Sequence, residues 1–332
     1  MTIGPSTRVI KADSEAVAAA ARCLAAGGLV AFPTETVYGL GADAQDGIAV
    51  ARLYDAKGRP AFNPLIAHVP DMAAARGLAR FDAAAERLAT MLWPGPLTLV
   101  LPKAEGRTVA DLATAGLDSI AVRVPDHPVA REILTAFGRP VVAPSANRSG
   151  HVSPTTAQHV LADLRGRIDL IVDGGATPVG VESTIVSCLA EPVLLRPGGV
   201  PRAAIERVLG QSLDDAPLQP DGDEGEAPLA PGQLASHYAP RSALRLDATT
   251  VSASEALLAF GPQTPAGSEP VRTLNLSTRG DLIEAAANLF SYLRALDSAG
   301  AASIAVMPVP HHGLGEAIND RLRRAAAPRS VT

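Results

Sequence analysis

Residues 28–40 read GLVAFPTETVYGL, and they limit what the rest of the chain can be. Leu29-Val30-Ala31-Phe32 is an apolar run of the length a buried strand takes. Pro33 ends it, because proline has no amide to give to a strand ladder. The chain then turns polar with Thr34-Glu35-Thr36, ahead of Val37-Tyr38-Gly39-Leu40. An ordinary strand-to-loop turn would read the same way. A strand that empties hydroxyls and a carboxylate into a loop is also how α/β proteins seat a ligand.

Helices and strands are expected on both sides of this stretch. Residues 14–26 read as a helix capped by Asp13 or Ser14 and ended by Gly27-Gly28. GIAVARLYDAKGRP predicts a second helix that leaves Lys57 and Arg59 at its C-terminal end. A strand at 65–69 carries His68, helices follow near 71–79 and 82–92, and 97–101 is a further strand. SIAVRV at 119–124 reads as a strand with Arg123 among apolar neighbours, and a helix opens near Asp126 or His127. A short strand at 140–143 runs into the polar turn PSANRSG. Ser153-Pro154 is expected to start a helix. Strands at 170–172, 184–188 and 193–195 and a helix near 202–209 complete a twisted, mixed α/β sheet. Residues 211–240 are rich in proline, glycine and acids, which is a linker signature. Beyond it, strands at 257–260, 273–276 and 303–307 alternate with helices at 281–297 and 315–326, giving a small open α/β domain.

Composition narrows the class. At 332 residues the chain has the length of about two domains, and its 47% hydrophobic share supports real cores. No apolar run reaches the ~18 residues of a membrane span, and no signal-peptide pattern opens the chain. Cys23 and Cys188 alone cannot build a disulfide scaffold or a CxxC zinc site, and they suit a reducing cytoplasm. The net charge of -5 speaks against a broad nucleic-acid surface. Lysine occurs only at Lys11, Lys57 and Lys103, so arginine, the residue of forked anion recognition, carries the positive charge. No GxxxxGK[ST] and no GxGxxG after a strand occurs, so any nucleotide must be held differently.

Four polar clusters sit at predicted element ends: Thr34 to Thr36, Lys57-x-Arg59 with Asn63, Ser145-x-Asn147, and Ser183-Thr184 with Arg196. Singly each has a plainer reading. Cations at a helix C-terminus complement its dipole, Ser145-x-Asn147 fits an Asx turn, and Arg123 fits the exposed face of a strand. Together, PTETVYGL, KGRP with NPL, AVRVPDHP, PSAN, ESTIV, LRPG and SHYAP occur in an order that resembles the YrdC-like family of threonylcarbamoyl-AMP synthases. The resemblance runs over essentially the whole chain and includes the family's K-x-R and S-x-N pairs, here Lys57, Arg59, Ser145 and Asn147.

That resemblance implies a YrdC-like catalytic domain over 1–210, a linker over 211–240 folding back toward the site, and a Rossmann-like open α/β domain over 241–332. It implies catalytic roles for Lys57, Arg59, Ser145 and Asn147. Thr34, His68, Arg123 and Ser183 would surround threonine. Arg59, Asn63, Ser145, Ser153, Arg196 and Tyr238 would hold ATP. The implied reaction joins L-threonine, bicarbonate and ATP into threonylcarbamoyl-AMP and pyrophosphate, with Mg2+ carried by the ATP phosphates rather than by protein ligands. A tRNA threonylcarbamoyl transferase complex would consume the product. Stable nucleic-acid binding and membrane association are not expected. Two readings compete: a hydrogenase-maturation carbamoyl transferase, which needs zinc-finger cysteines this chain lacks, and an RNA-binding or translation-associated module with a basic concave surface, which 3% aromatics and the acidic balance disfavour.

Overall fold

The computed structural model describes residues 6–106, 109–215, 237–263 and 265–327. The run after Gly28 forms the strand Val30–Pro33, buried throughout. Pro33 is its last residue, and the chain then doubles back: Tyr38–Asp43 pairs with it antiparallel, Tyr38 opposite Pro33. The sequence reading gave 37–40 no element. Gly39 and Gly41 interrupt any apolar periodicity there, and the packing requires the second of them. A Cβ on Gly41 would lie 2.7 Å from the Phe32 ring.

This hairpin sits inside an eleven-stranded sheet. From one edge the strands run Arg8–Lys11, Leu170–Asp173, Val30–Pro33, Tyr38–Asp43, Val141–Val142, Ile66–His68, Ser119–Arg123, Leu97–Pro102, Thr184–Ser187, Val193–Arg196 and Asp214–Asp215. Both parallel and antiparallel pairs occur along it, so the sheet is mixed as expected. One face carries the largest core cluster, including Ala31, Leu40, Ala67, Leu99 and Val122. On the other face, helices Ser14–Ala25 and Pro128–Phe137 cover Val30, Phe32, Val141 and Val172. Farther along that same face only a small group, including Ile66, Ala121, Ile185 and Leu195, is packed together. That less covered half is where the candidate site forms.

A second, four-stranded sheet is parallel throughout, ordered Ala243–Arg245, Ser303–Val306, Glu255–Ala259 and Thr273–Asn275. Helices Leu282–Asp297 and Leu314–Ala326 pack with it. Its apolar cluster does not stop at its own residues. Val37, Val152 and Val181 of the first unit are buried together with Tyr238, Leu289 and Phe290.

Most expected elements form where the pattern puts them, with some differences. The helix expected from Ser153-Pro154 begins at Ala157, with the Thr156 hydroxyl accepting from the His159 amide at 3.3 Å. Residues 153–154 stay outside the helix, and the Pro154 carbonyl accepts the Tyr38 amide. Arg8–Lys11 and Ala243–Arg245 are edge strands, short and partly charged, with no readable alternation. Residues 216–236 of the expected linker lie outside the described residues. None of the described helices is long and apolar enough to cross a membrane.

Candidate active site

Strand register brings the site together. His68 and Arg123 are cross-strand partners on adjacent parallel strands, on the face that also carries Ile66 and Ala121. Arg123 is therefore not on a solvated face: it is 4% exposed and donates to the Glu35 carboxylate at 2.6 Å and to the Gly95 carbonyl at 3.3 Å. The Glu35 carboxylate also accepts the Asp126 amide. Gly95 belongs to the turn after Trp93, whose indole donates to the Leu97 carbonyl at 2.7 Å and meets Phe81 edge-on.

The PSAN turn is pinned from two sides. Its backbone bonds to the hairpin strand, Leu40 amide to Pro144 carbonyl and Ala146 amide to Tyr38 carbonyl. From the other side comes Lys57, the last residue of helix Gly47–Lys57, whose Nζ donates to the carbonyls of Ser145 and Asn147, each at 2.6 Å. Gly58 ends that helix in the left-handed region, the conformation glycine adopts without strain. Arg59 then curls onto its own loop, donating to the carbonyls of Asn63 and Pro64. The Asn147 side chain closes the same turn onto the carbonyls of Arg148 and His151. The amide oxygens of Asn63 and Asn147 are buried with no hydrogen-bond partner among the described residues.

On the far side, Arg196 donates to the Ser183 carbonyl at 2.9 Å and to its hydroxyl at 3.2 Å, and that hydroxyl also meets Thr98. The Ser153 hydroxyl donates to Glu182 at 2.5 Å. Tyr238 closes the group. It is buried in a left-handed backbone conformation, φ +61°, and stacks on Phe290 with ring centres 5.6 Å apart.

One cavity of about 50 Å³ gathers these parts: Arg59, His68, Arg123, Ser145, Ser183, Arg196, Tyr238, and also Thr36, Glu182 and His237 line it. Lys57, Asn147, Ser153, Asn63 and Thr34 are buried behind that surface. Thr34 donates to the Val37 carbonyl at 2.6 Å and meets the Thr36 hydroxyl, so it shapes the turn while Thr36 reaches the cavity.

Positive charge is crowded here. Burial, with the charge of Arg59 adding, holds the Lys57 ammonium well below its ordinary range. Burial lowers Arg59 to about 10, Arg196 contributing although Tyr54 opposes. Burial lowers Arg196 as well. His68 is pushed down to about 3 by burial and then by Arg123. It is thus neutral, and its Nδ1 sits 3.1 Å from the Ile66 carbonyl, which can only accept. Nδ1 therefore carries the proton and Nε2 is left as an acceptor. A site in which burial presses Lys57, Arg59 and Arg196 toward losing their protons is one prepared for anions.

Sequence reasoning gave no individual role to Glu35, Glu182, Thr36, His237 or Arg321. The first four lie inside or beside quoted motifs, and their signal was adjacency to residues already chosen. Arg321 lies on the last helix within GEAINDRLRRAA, a stretch that shares in the resemblance but gave Arg321 no role of its own.

The model described as "Telomere recombination" matches residues 22–198, and that described as "Threonylcarbamoyl-AMP synthase, C-terminal domain" matches 200–327. The chain belongs to the threonylcarbamoyl-AMP synthase family. Its form is the two-domain one. It is 43% identical to the threonylcarbamoyl-AMP synthase of Pyrococcus abyssi, with 92% of each chain covered. Identity to the Bacillus subtilis protein of the same name is 40%, over 98% of this chain and 97% of that one. The crystal structure of P. abyssi Sua5 complexed with L-threonine superposes with a TM-score of 0.86 at 39% identity, covering 96% of this chain and 97% of that one.

Proposed function

We propose that this chain makes threonylcarbamoyl-AMP and pyrophosphate from L-threonine, bicarbonate and ATP, with residues up to about 210 forming the catalytic unit. The observation that carries this reading is the convergence of Arg59, Arg123 and Arg196 on one small cavity with neutral His68, Ser145 and Ser183. Bicarbonate, the carbamate and ATP are all anionic, so the site must offset repulsion and fix an in-line geometry.

Threonine lies over His68, Arg123 and Ser183. Arg123 takes its carboxylate by a charge-assisted contact. His68 Nε2 accepts from the hydroxyl, which an analogue with a methyl in its place could not supply. The neutral amine combines with bicarbonate to give the carbamate, releasing water. A carbamate oxygen then attacks the α-phosphorus, and the bond to the β-phosphate oxygen breaks as pyrophosphate leaves. Arg59 and Arg196 face the charge that builds on the phosphates, and Ser145 offers its hydroxyl there. Lys57 and Asn147 act from behind by fixing the PSAN turn. Ser153 and Tyr238 hold the nucleoside side, with Asn63 setting the Arg59 loop.

Mg2+ enters as part of the substrate. Among the described residues no group of three or more His, Cys, Asp or Glu side chains is arranged to hold an ion. The carboxylates of Glu35 and Glu182 are each held by an arginine, which suits an ion carried in by the nucleotide. Threonylcarbamoyl-AMP is an activated carbamoyl donor, so its consumer is a transferase acting on tRNA. The two cysteines are free, which accords with action in a reducing cytoplasm.

Pyrophosphate release from ATP, with threonine and bicarbonate omitted in turn, tests the reading. Release that needs both is expected, and Lys57→Ala should lower it at least 100-fold, about 2.7 kcal/mol of barrier. Release indifferent to either co-substrate would overturn it.

A further inference from the structure

Arg321 has no exposed surface, yet it belongs to helix Leu314–Ala326 of the C-terminal unit and reaches across to the first. Its Nε donates to Glu182 at 2.9 Å, and one terminal amine donates to the Pro197 carbonyl at 2.7 Å and to Asp320 at 2.8 Å. The guanidinium also lies over the Tyr238 ring, 5.4 Å from its centre. The second terminal amine is buried with no hydrogen-bond partner among the described residues. A buried ion pair is a poor route to stability, since desolvation consumes most of the attraction. Leaving one of its donors unmatched makes the route poorer. The pair therefore calls for a reason other than holding two units together.

Glu182 supplies that reason. It is the carboxylate to which Ser153 donates, and it lines the cavity next to Arg196 and Ser183. An ionised carboxylate only accepts. As long as Glu182 stays ionised, the one proton of the Ser153 hydroxyl is committed to it, and Ser153 Oγ can only accept from anything else. A nucleoside offers donors, in its ribose hydroxyls and exocyclic amine, whereas a phosphate oxygen offers none. A protonated or misplaced Glu182 would reverse the polarity of Ser153.

We propose that Arg321 is a positioning residue of the active site. By holding Glu182 ionised and in place, and by seating the Tyr238 ring, it makes Ser153 an acceptor for the nucleoside and sets the affinity for ATP. The inference rests on the proposed reading for the assignment of Ser153 and Tyr238 to ATP. It gives the C-terminal unit a part in substrate binding.

Calorimetric titration of the full chain with a non-hydrolysable ATP analogue, and separately with L-threonine, tests this without turnover. Arg321→Met and Glu182→Gln should each weaken the analogue at least tenfold while leaving the threonine Kd within about twofold. The double variant should be no weaker than the worse single one, because the two act as one unit. Arg321→Lys should recover part of the loss, since it restores charge but not the second donor. Unchanged analogue affinity in the variants, or equal weakening of both ligands, would overturn the proposal. Should Arg321→Met fail to fold, Glu182→Gln, which keeps size and one acceptor, decides the matter by the same two titrations. A wild-type chain that binds the analogue but releases no pyrophosphate would count against the proposed reaction and leave this inference standing.

Discussion

His68 shows how far a residue's behaviour departs from its type. Its ordinary value is 6.5, and in the folded chain it is held at about 3. Above pH 6.5 it is neutral whether folded or not, so it adds no pH dependence there. As pH falls below that value the unfolded chain takes up the proton and the folded chain does not. Stability is then lost, at up to about 1.4 kcal/mol per pH unit, until the folded value is reached. His159, lowered by burial to about 4, contributes in the same direction. Urea midpoints between pH 7 and 4.5 should therefore fall less steeply for His68→Gln than for the parent chain; parallel curves would mean that His68 titrates normally. At this scale the sequence was legible where chemistry is rare and poorly legible where it is shared. An arginine among apolar strand residues stands out, yet local pattern put Arg123 on an exposed face, and its burial came from the fold. Thr34 and Thr36 have the same side chain, and only the turn decides that one closes the loop and the other reaches the cavity.

Elements meet at glycines in two different ways. Gly198 of the LRPG turn lies directly on the strand start that carries Ser183: a Cβ there would be 2.4 Å from the Glu182 carbonyl oxygen, the Ser183 carbonyl carbon and the Thr184 amide nitrogen. Backbone cannot yield as a side-chain tip can, so Gly198→Ala should cost about 3 kcal/mol or more and abolish pyrophosphate release. Gly58→Ala meets nothing within 4 Å and bears only the strain of φ +60°, about 1–2 kcal/mol. Thermal midpoints and turnover of the two variants separate clash from strain; equal effects would contradict the contact. Strands with β-branched runs, such as Ser119–Arg123 and Thr184–Ser187, were readable from sequence because burial on both faces demands them. Tyr38–Asp43 was not, because its glycines answer to Phe32 rather than to local propensity.

Over the whole molecule, the order of the strands was out of reach of local pattern. Arg8–Lys11 pairs with Leu170–Asp173, partners some 160 residues apart, and only the assembled sheet explains an otherwise undistinguished RVIK. The same holds for Arg321, whose partner Glu182 lies 139 positions earlier. Motif order gave the family, while coupling between the units came from contacts with no counterpart along the chain. Trp93 turns that long-range architecture into something visible. It is the single tryptophan of the chain, and the turn that follows it carries the carbonyl to which Arg123 donates. All indole emission from this protein therefore originates one turn away from the residue assigned to the threonine carboxylate. Adding threonine should shift the intensity or colour of that emission in a saturable way, and Arg123→Lys should move the half-saturation point to at least tenfold higher threonine. A flat response in the parent chain would place the amino acid elsewhere. The molecule carries its own optical probe, and substrate binding can be followed by light without attaching a dye.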